Sequence, residues 1–153
     1  YSKGMKMKLA IAVALSHHAK LLILDEPTSG LDPFMRDEIL DILYEFTRAE
    51  DQSVLISSHI VSDLERLCDY IAYIDQGSLK LYEEKDRLIE QYGILKCSKE
   101  ELKEFDEQAV KGVRKNSYGV EALVDKLKMP KDYKTDTATL EEIIVFLSKG
   151  QEE

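Results

Sequence analysis

Tryptophan is missing from the 153 residues, proline occurs three times and cysteine twice. Two cysteines, Cys68 and Cys97, cannot build a disulfide framework. A reducing cytosol is therefore expected, with both thiols acting as small hydrophobic side chains. No apolar run approaches the roughly 20 residues that span a bilayer, and no signal-peptide pattern is visible. Basic charge is also short, with 21 Lys and Arg against 30 Asp and Glu, a net charge of −9. That balance argues against a nucleic-acid binder, which needs a basic face. Nor is there a G-x-x-x-x-G-K-[ST] segment, so the chain carries no phosphate-cradling P-loop. Residues 1–92 hold 10 basic and 17 acidic side chains and the remainder 11 and 13, so the excess acid lies mostly in the first part. The composition is otherwise that of a globular protein, long enough for one large core and a small appended module.

What the chain does have is concentrated in Leu21-Leu22-Ile23-Leu24-Asp25-Glu26. Four aliphatic residues without a polar break read as a strand buried on both faces of a parallel sheet. Asp25 and Glu26 then stand at its C-terminal end, where open α/β sheets place their ligands. Two adjacent carboxylates there are expected to meet a cation or a reacting water, since bare burial would be costly. Pro27 stops the strand, and Thr28-Ser29-Gly30 supply turn chemistry.

The neighbouring elements follow from the same logic. Ser2 is a good N-cap for a helix starting at Lys3-Gly4-Met5. Met5, Leu9, Ile11, Ala12, Val13 and Leu15 suit a helix buried on more than one side. His17 and His18 end it and read as solvated. Asp32 as N-cap and Pro33 at the first helical position open a second helix. Its core stripe is Ile39, Leu40, Leu43 and Phe46, with Arg36, Asp37, Asp41 and Glu45 facing water. Ser53 to Ser57 reads as a second buried parallel strand, and His59 follows at the same sheet edge as the acid pair. After a helix from Val61 to Cys68, a hairpin turns at Gln76-Gly77. An exposed helix from Glu83 to Tyr92 is expected to be capped by Gly93.

From Tyr1 to His59 the chain resembles the second half of the nucleotide-binding domain of ABC-type ATPases. Leu21 to Glu26 is similar to the Walker B strand, Ser29-Gly30-Leu31-Asp32 to the loop that follows it, and Ser57-Ser58-His59 to the later histidine segment. Tyr1-Ser2-Lys3-Gly4-Met5 resembles the LSGGQ signature, with Lys3 in place of its first glycine and Met5 in place of its glutamine. Lys3 adds charge that suits phosphate, while the close backbone approach of glycine is lost. The likeness covers about three fifths of the chain, four motifs in order at tight spacing. The chain opens inside the signature, so a truncated chain or proteolytic remnant, lacking the half that grips ATP, is expected.

The resemblance implies a fold and a set of roles. The fold is α/β, part of a P-loop NTPase sheet over residues 1–92, with a small α+β extension over residues 93–153. Asp25 would bind Mg2+, Glu26 would orient and deprotonate the attacking water, and His59 would contact the γ-phosphate of ATP. Ser2, Lys3, Gly4 and Met5 would face the ATP of an opposite subunit, with Ser29 and Asp32 crossing the dimer interface and Gly30 also among the nucleotide-binding residues. The partners would be a second ATPase subunit and membrane-spanning permease subunits of an ABC-2-type exporter, on the cytoplasmic face of the plasma membrane. Two alternatives are a repair or chromosome-maintenance ATPase, which would need coiled-coil arms and DNA contacts, and a non-catalytic interaction module. In the extension, strands near 94–97, 109–115 and 119–124 are expected, with a turn at 116–119 and a loop over 130–137. Helices at 99–105 and 139–148 complete it, the last with a Thr139–Glu142 capping box.

Overall fold

The computed structural model describes residues 2–117, 119–130 and 132–149. Tyr1, at the head of the signature-like stretch, and Tyr118, in the expected 116–119 turn, lie outside them. The chain divides into two compact units, residues 1–67 and 68–153. The expected boundary at 92/93 falls inside the second unit.

The first unit runs α1 (Lys3–Leu15), β1 (Leu21–Asp25), α2 (Pro33–Thr47), β2 (Ser53–Ser57) and α3 (Val61–Leu67). Ser2 caps α1, its hydroxyl accepting from the Met5 amide at 3.2 Å. Asp32 caps α2 in the same way through the Met35 amide at 3.0 Å, with Pro33 at the first position. β1 and β2 pair in parallel, Leu21 opposite Ser53 through Asp25 opposite Ser57. Ile39 and Leu43, both fully buried, sit at the centre of a core with Ile11, Leu22 and Phe46. The expected α2 stripe is thus in place.

The strands are not buried on both faces, however. Leu22, Leu24, Val54 and Ile56 pack into the core, while Leu21, Ile23 and Leu55 on the other face are 54%, 71% and 61% exposed. The reason is layering: the core draws side chains from α1, α2 and α3 together with a single face of the two-stranded sheet. The α1 helix is corrected likewise. Gly4 and Ile11 are buried, with Met7, Ala14 and Leu15 packed alongside, but Met5, Leu9 and Val13 form an exposed i, i+4, i+8 row. Arg36 also departs from the water-facing reading, since it bonds Asp63. Asp37 and Asp41 do lie at the surface, where both pair with Arg66 of α3. Their charges hold that guanidinium above its usual range, the Asp37 hydrogen bond most of all.

The second unit begins with the hairpin β3 (Tyr70–Asp75) and β4 (Ser78–Glu84). Gln76 and Gly77 both adopt positive φ, +48° and +74°, as a two-residue turn of this hand requires. Then come α4 (Lys85–Gln91), β5 (Tyr92–Cys97), α5 (Lys99–Leu102), β6 (Val110–Asn116), β7 (Gly119–Asp125), β8 (Asp136–Thr137) and α6 (Leu140–Lys149). The antiparallel sheet has the order β6-β7-β5-β8. Gly93 does not cap α4. It lies within β5, opposite Val124 and Thr137, where a Cβ would come within 2.6 Å of the Thr135 hydroxyl. Close strand approach, not a left-handed cap, accounts for the glycine. α5 is shorter than expected but has a complete capping box, Ser98 with Glu101, and part of the expected loop forms β8.

The last helix packs within this unit, across β6 and β7. Leu140, Ile143 and Phe146 are its buried stripe, and the Thr139–Glu142 box is formed. Gly112 of β6 lets α6 approach closely, since a Cβ there would fall 2.6 Å from the Phe146 carbonyl oxygen. That neighbour is backbone and cannot swing aside. Gly112→Ala is therefore expected to destabilise the unit by about 1–3 kcal/mol. Urea unfolding checks it, and an unchanged midpoint would contradict this packing.

Candidate functional site

The parallel register brings the ends of β1 and β2 together. Asp25 stands directly opposite Ser57, and the two segments that follow carry Glu26 and His59. The Ser57 hydroxyl donates to Asp25 Oδ1. Ser57 Oγ in turn accepts from the Glu26 amide at 3.1 Å, and that amide also donates to the Ser57 carbonyl at 3.1 Å. Glu26 itself sits at φ +48°, a left-handed conformation that costs a side-chain-bearing residue of order 1–3 kcal/mol. The turn aims its carboxylate at His59, whose Nδ1 lies 2.7 Å from Glu26 Oε2. An ionised carboxylate can only accept, so in this contact Nδ1 is the donor. Both side chains remain open to solvent, His59 at 67% and Glu26 at 35% exposure.

Behind this exposed edge lies a buried polar network. Thr28 and Asp63 are each 1% exposed. The Thr28 hydroxyl donates to Asp63 Oδ2 at 2.6 Å, and Arg36 Nε donates to Asp63 Oδ1 at 2.6 Å. Arg36 reaches Ser62 Oγ as well, at 2.7 Å. Three segments are joined by this one carboxylate: the loop after the acid pair, the first turn of α2 and the start of α3. Each oxygen of Asp63 is satisfied, which is what lets a charge be buried here.

The helix-terminal residues are placed differently. Lys3 Nζ donates to the Ser29 carbonyl at 2.5 Å and lies beside Gly30, whose φ is +68°. It ties the start of α1 to the 29–32 loop. Gly4 is buried, and a Cβ on it would meet the Met35 side chain at 2.6 Å, so its glycine character serves helix packing within the unit. Asp32 is engaged as the α2 cap, and Met5 is half exposed. Asp25, Glu26 and His59 are thus gathered at one edge, while Ser2, Lys3, Gly4, Met5, Ser29, Gly30 and Asp32 form a second group around the α1 and α2 starts. The sequence read Ser57 only as part of the histidine segment, Thr28 as a turn residue and Arg36 as facing water, and it did not single out Asp63. Equal five-residue strands ending in Asp25 and Ser57 are the signal that could have revealed Ser57.

A family model described as an AAA domain, with the AbiEii toxin of a type IV toxin–antitoxin system in the same description, matches residues 1–62. Among curated proteins, the lantibiotic transport ATP-binding protein SrtF of Streptococcus pyogenes is 46% identical over 86 residues, 56% of this chain and 37% of that protein. The bacitracin transport ATP-binding protein BcrA of Bacillus licheniformis is 45% identical over 79 residues, 52% of this chain and 26% of that one. The matched stretch is related to the ATP-binding proteins of ABC transporters. The chain spans well under half the length of these relatives. An inward-facing ABC transporter described as of metal-chelate type matches 82% of the chain and 48% of its own, at a TM-score of 0.53 and 20% identity. That likeness supports the α/β ABC-ATPase fold and extends beyond the first unit. No helix among the described residues is long and apolar enough to cross a membrane.

The donor set suits a hard cation bound together with phosphate. Among the described residues no three His, Cys, Asp or Glu side chains converge to hold a metal by themselves. One or two carboxylates at a strand end, completed by substrate phosphates and water, are what Mg2+ takes in nucleotide sites. Asp25 and Glu26, with the Ser57 hydroxyl beside them, supply oxygens of that kind.

Removing Asp63 would strand Arg36 and Thr28. Asp63→Ala is expected to cost about 3 kcal/mol, toward the low end for a broken buried pair because Arg36 is partly exposed. Thr28→Val, which removes one neutral donor, is expected to cost about 1–2 kcal/mol. Urea denaturation of both variants ranks them, and an equal loss would argue against Asp63 as the hub.

Proposed function

We propose that the chain is a fragment of an ATP-hydrolysing subunit that powers an ABC exporter through ATP-driven dimerisation, and that it carries part of the catalytic site. The observation that carries this reading is the convergence of Asp25, Glu26, Ser57 and His59 at one strand edge, with the 2.7 Å contact between Glu26 and His59. Similarity to ATP-binding proteins named for lantibiotic and bacitracin transport supports export.

In this reading, Asp25 would hold Mg2+, mainly through its waters, and the ion would supply charge neutralisation at the phosphates. Glu26 accepts the proton of the attacking water as its oxygen closes on the γ-phosphorus, and the bond to the ADP oxygen breaks. His59 would contact the γ-phosphate while it stays bonded to Glu26, so that phosphate and base are sensed together. A second copy or a homologous subunit offers its α1 start, Ser2 to Met5, and its 29–32 loop to the same nucleotide. Lys3, bonded to Ser29, moves these two elements as one. Membrane-spanning permease subunits complete the transporter at the cytoplasmic face of the membrane.

Two outcomes test the reading. Glu26→Gln in the intact polypeptide is expected to lower ATPase turnover about 10²–10⁴-fold, and with ATP and Mg2+ light scattering should report a doubled mass. Unchanged turnover would remove Glu26 from catalysis. Residues 1–153 alone lack a P-loop and are expected to show no appreciable heat on ATP titration. Tight binding would overturn that assignment.

A further inference from the structure

We infer that Ser57 is a positioning residue of the reaction, fixing the Asp25 carboxylate and the Glu26 backbone through a single hydroxyl. The inference rests on the ATPase reading above. Four features of the site carry it. Ser57 lies opposite Asp25 in the β1–β2 register, so its side chain and that of Asp25 leave the same edge of the sheet. Its hydroxyl hydrogen is committed to Asp25 Oδ1. Its oxygen then accepts from the Glu26 amide at 3.1 Å. Finally, Glu26 is held at a left-handed φ of +48°, which turns its side chain to His59.

These bonds set two angles that the chemistry depends on. The hydroxyl occupies Asp25 Oδ1, leaving Oδ2 as the oxygen free to face a cation or its water. Held by the Ser57 hydroxyl and carbonyl together, the Glu26 amide stays in the turned conformation, and the base keeps its direction. A serine buried in the core could be dismissed as structural. Ser57 is exposed, and both of its hydroxyl partners are residues of the proposed reaction.

The test compares Ser57→Val with Ser57→Thr, a pair of equal shape that differs in the hydroxyl, in the intact polypeptide. Removing an outer partner of a metal-binding carboxylate typically costs about 10–100-fold in metal affinity or activity. Ser57→Val should therefore lower kcat by about 10–100-fold and weaken Mn2+ binding, read by EPR with ATP present, by a similar factor. KM for ATP and the melting temperature should stay near wild type, and Ser57→Thr should retain both turnover and Mn2+ affinity. Equal behaviour of the two variants, whether both active or both impaired, overturns the inference. Glu26→Gln run beside them separates the two levels. If it silences turnover while Ser57→Val does not, the ATPase reading stands and the role of Ser57 falls. If Glu26→Gln leaves turnover intact, both fall.

Discussion

The in-register parallel pairing of β1 and β2 is the constraint on which the site depends. Because Asp25 and Ser57 are partners in that ladder, Glu26 and His59 emerge from adjacent strand ends and meet at 2.7 Å. A slip of one residue would invert the pleat of one strand, exchanging Leu22 and Leu24 for Ile23 against the helices. The core therefore polices the chemistry. Ile39 and Leu43 of α2 hold the register from one side, and their burial is set by a helix whose first turn is fastened by Asp32 and Pro33.

The Thr28–Asp63–Arg36 network performs a second kind of fastening. It uses a buried carboxylate to join a loop, a helix start and the segment just past His59. Hydrogen-bonded charge is directional where apolar packing is not, so it can specify where a short loop runs. Lys3 extends the arrangement from the other end, binding the Ser29 carbonyl. These two anchors hold the loop from Pro27 to Asp32, in which Pro27 and Thr28 are buried and Gly30 and Asp32 exposed.

Local features of the chain were legible from its text. The caps at Ser2, Asp32 and Thr139, the α2 stripe, the hairpin turn at Gln76-Gly77 and the acid pair at a strand end all depend on neighbours within a few residues. Burial was harder to read. An unbroken aliphatic run such as Leu21 to Leu24 states an affinity for apolar surroundings, not how many layers surround it, and here helices line only one face. Gly93 misled for a related reason: after a helix it reads as a cap, but Thr135, more than forty residues away, decides that it belongs to a strand. Arg36 and Asp63 fall under the same rule. Their pairing spans 27 residues, and spacing alone does not announce it.

The one-sided sheet has a consequence for how this chain behaves in solution. β1 and β2 present an apolar outer face, Leu21, Ile23 and Leu55, flanked by two edges that have no strand neighbour among the described residues. Such a surface is a template for strand-to-strand association unless charge interrupts it. The charges at hand are Lys20 paired with Asp51 at one end and Asp25 and Glu26 at the other. The acid pair thus places charge at one end of that apolar face. Charge at a strand end therefore serves two ends here, since neutralising it would also leave that apolar face with less to interrupt association.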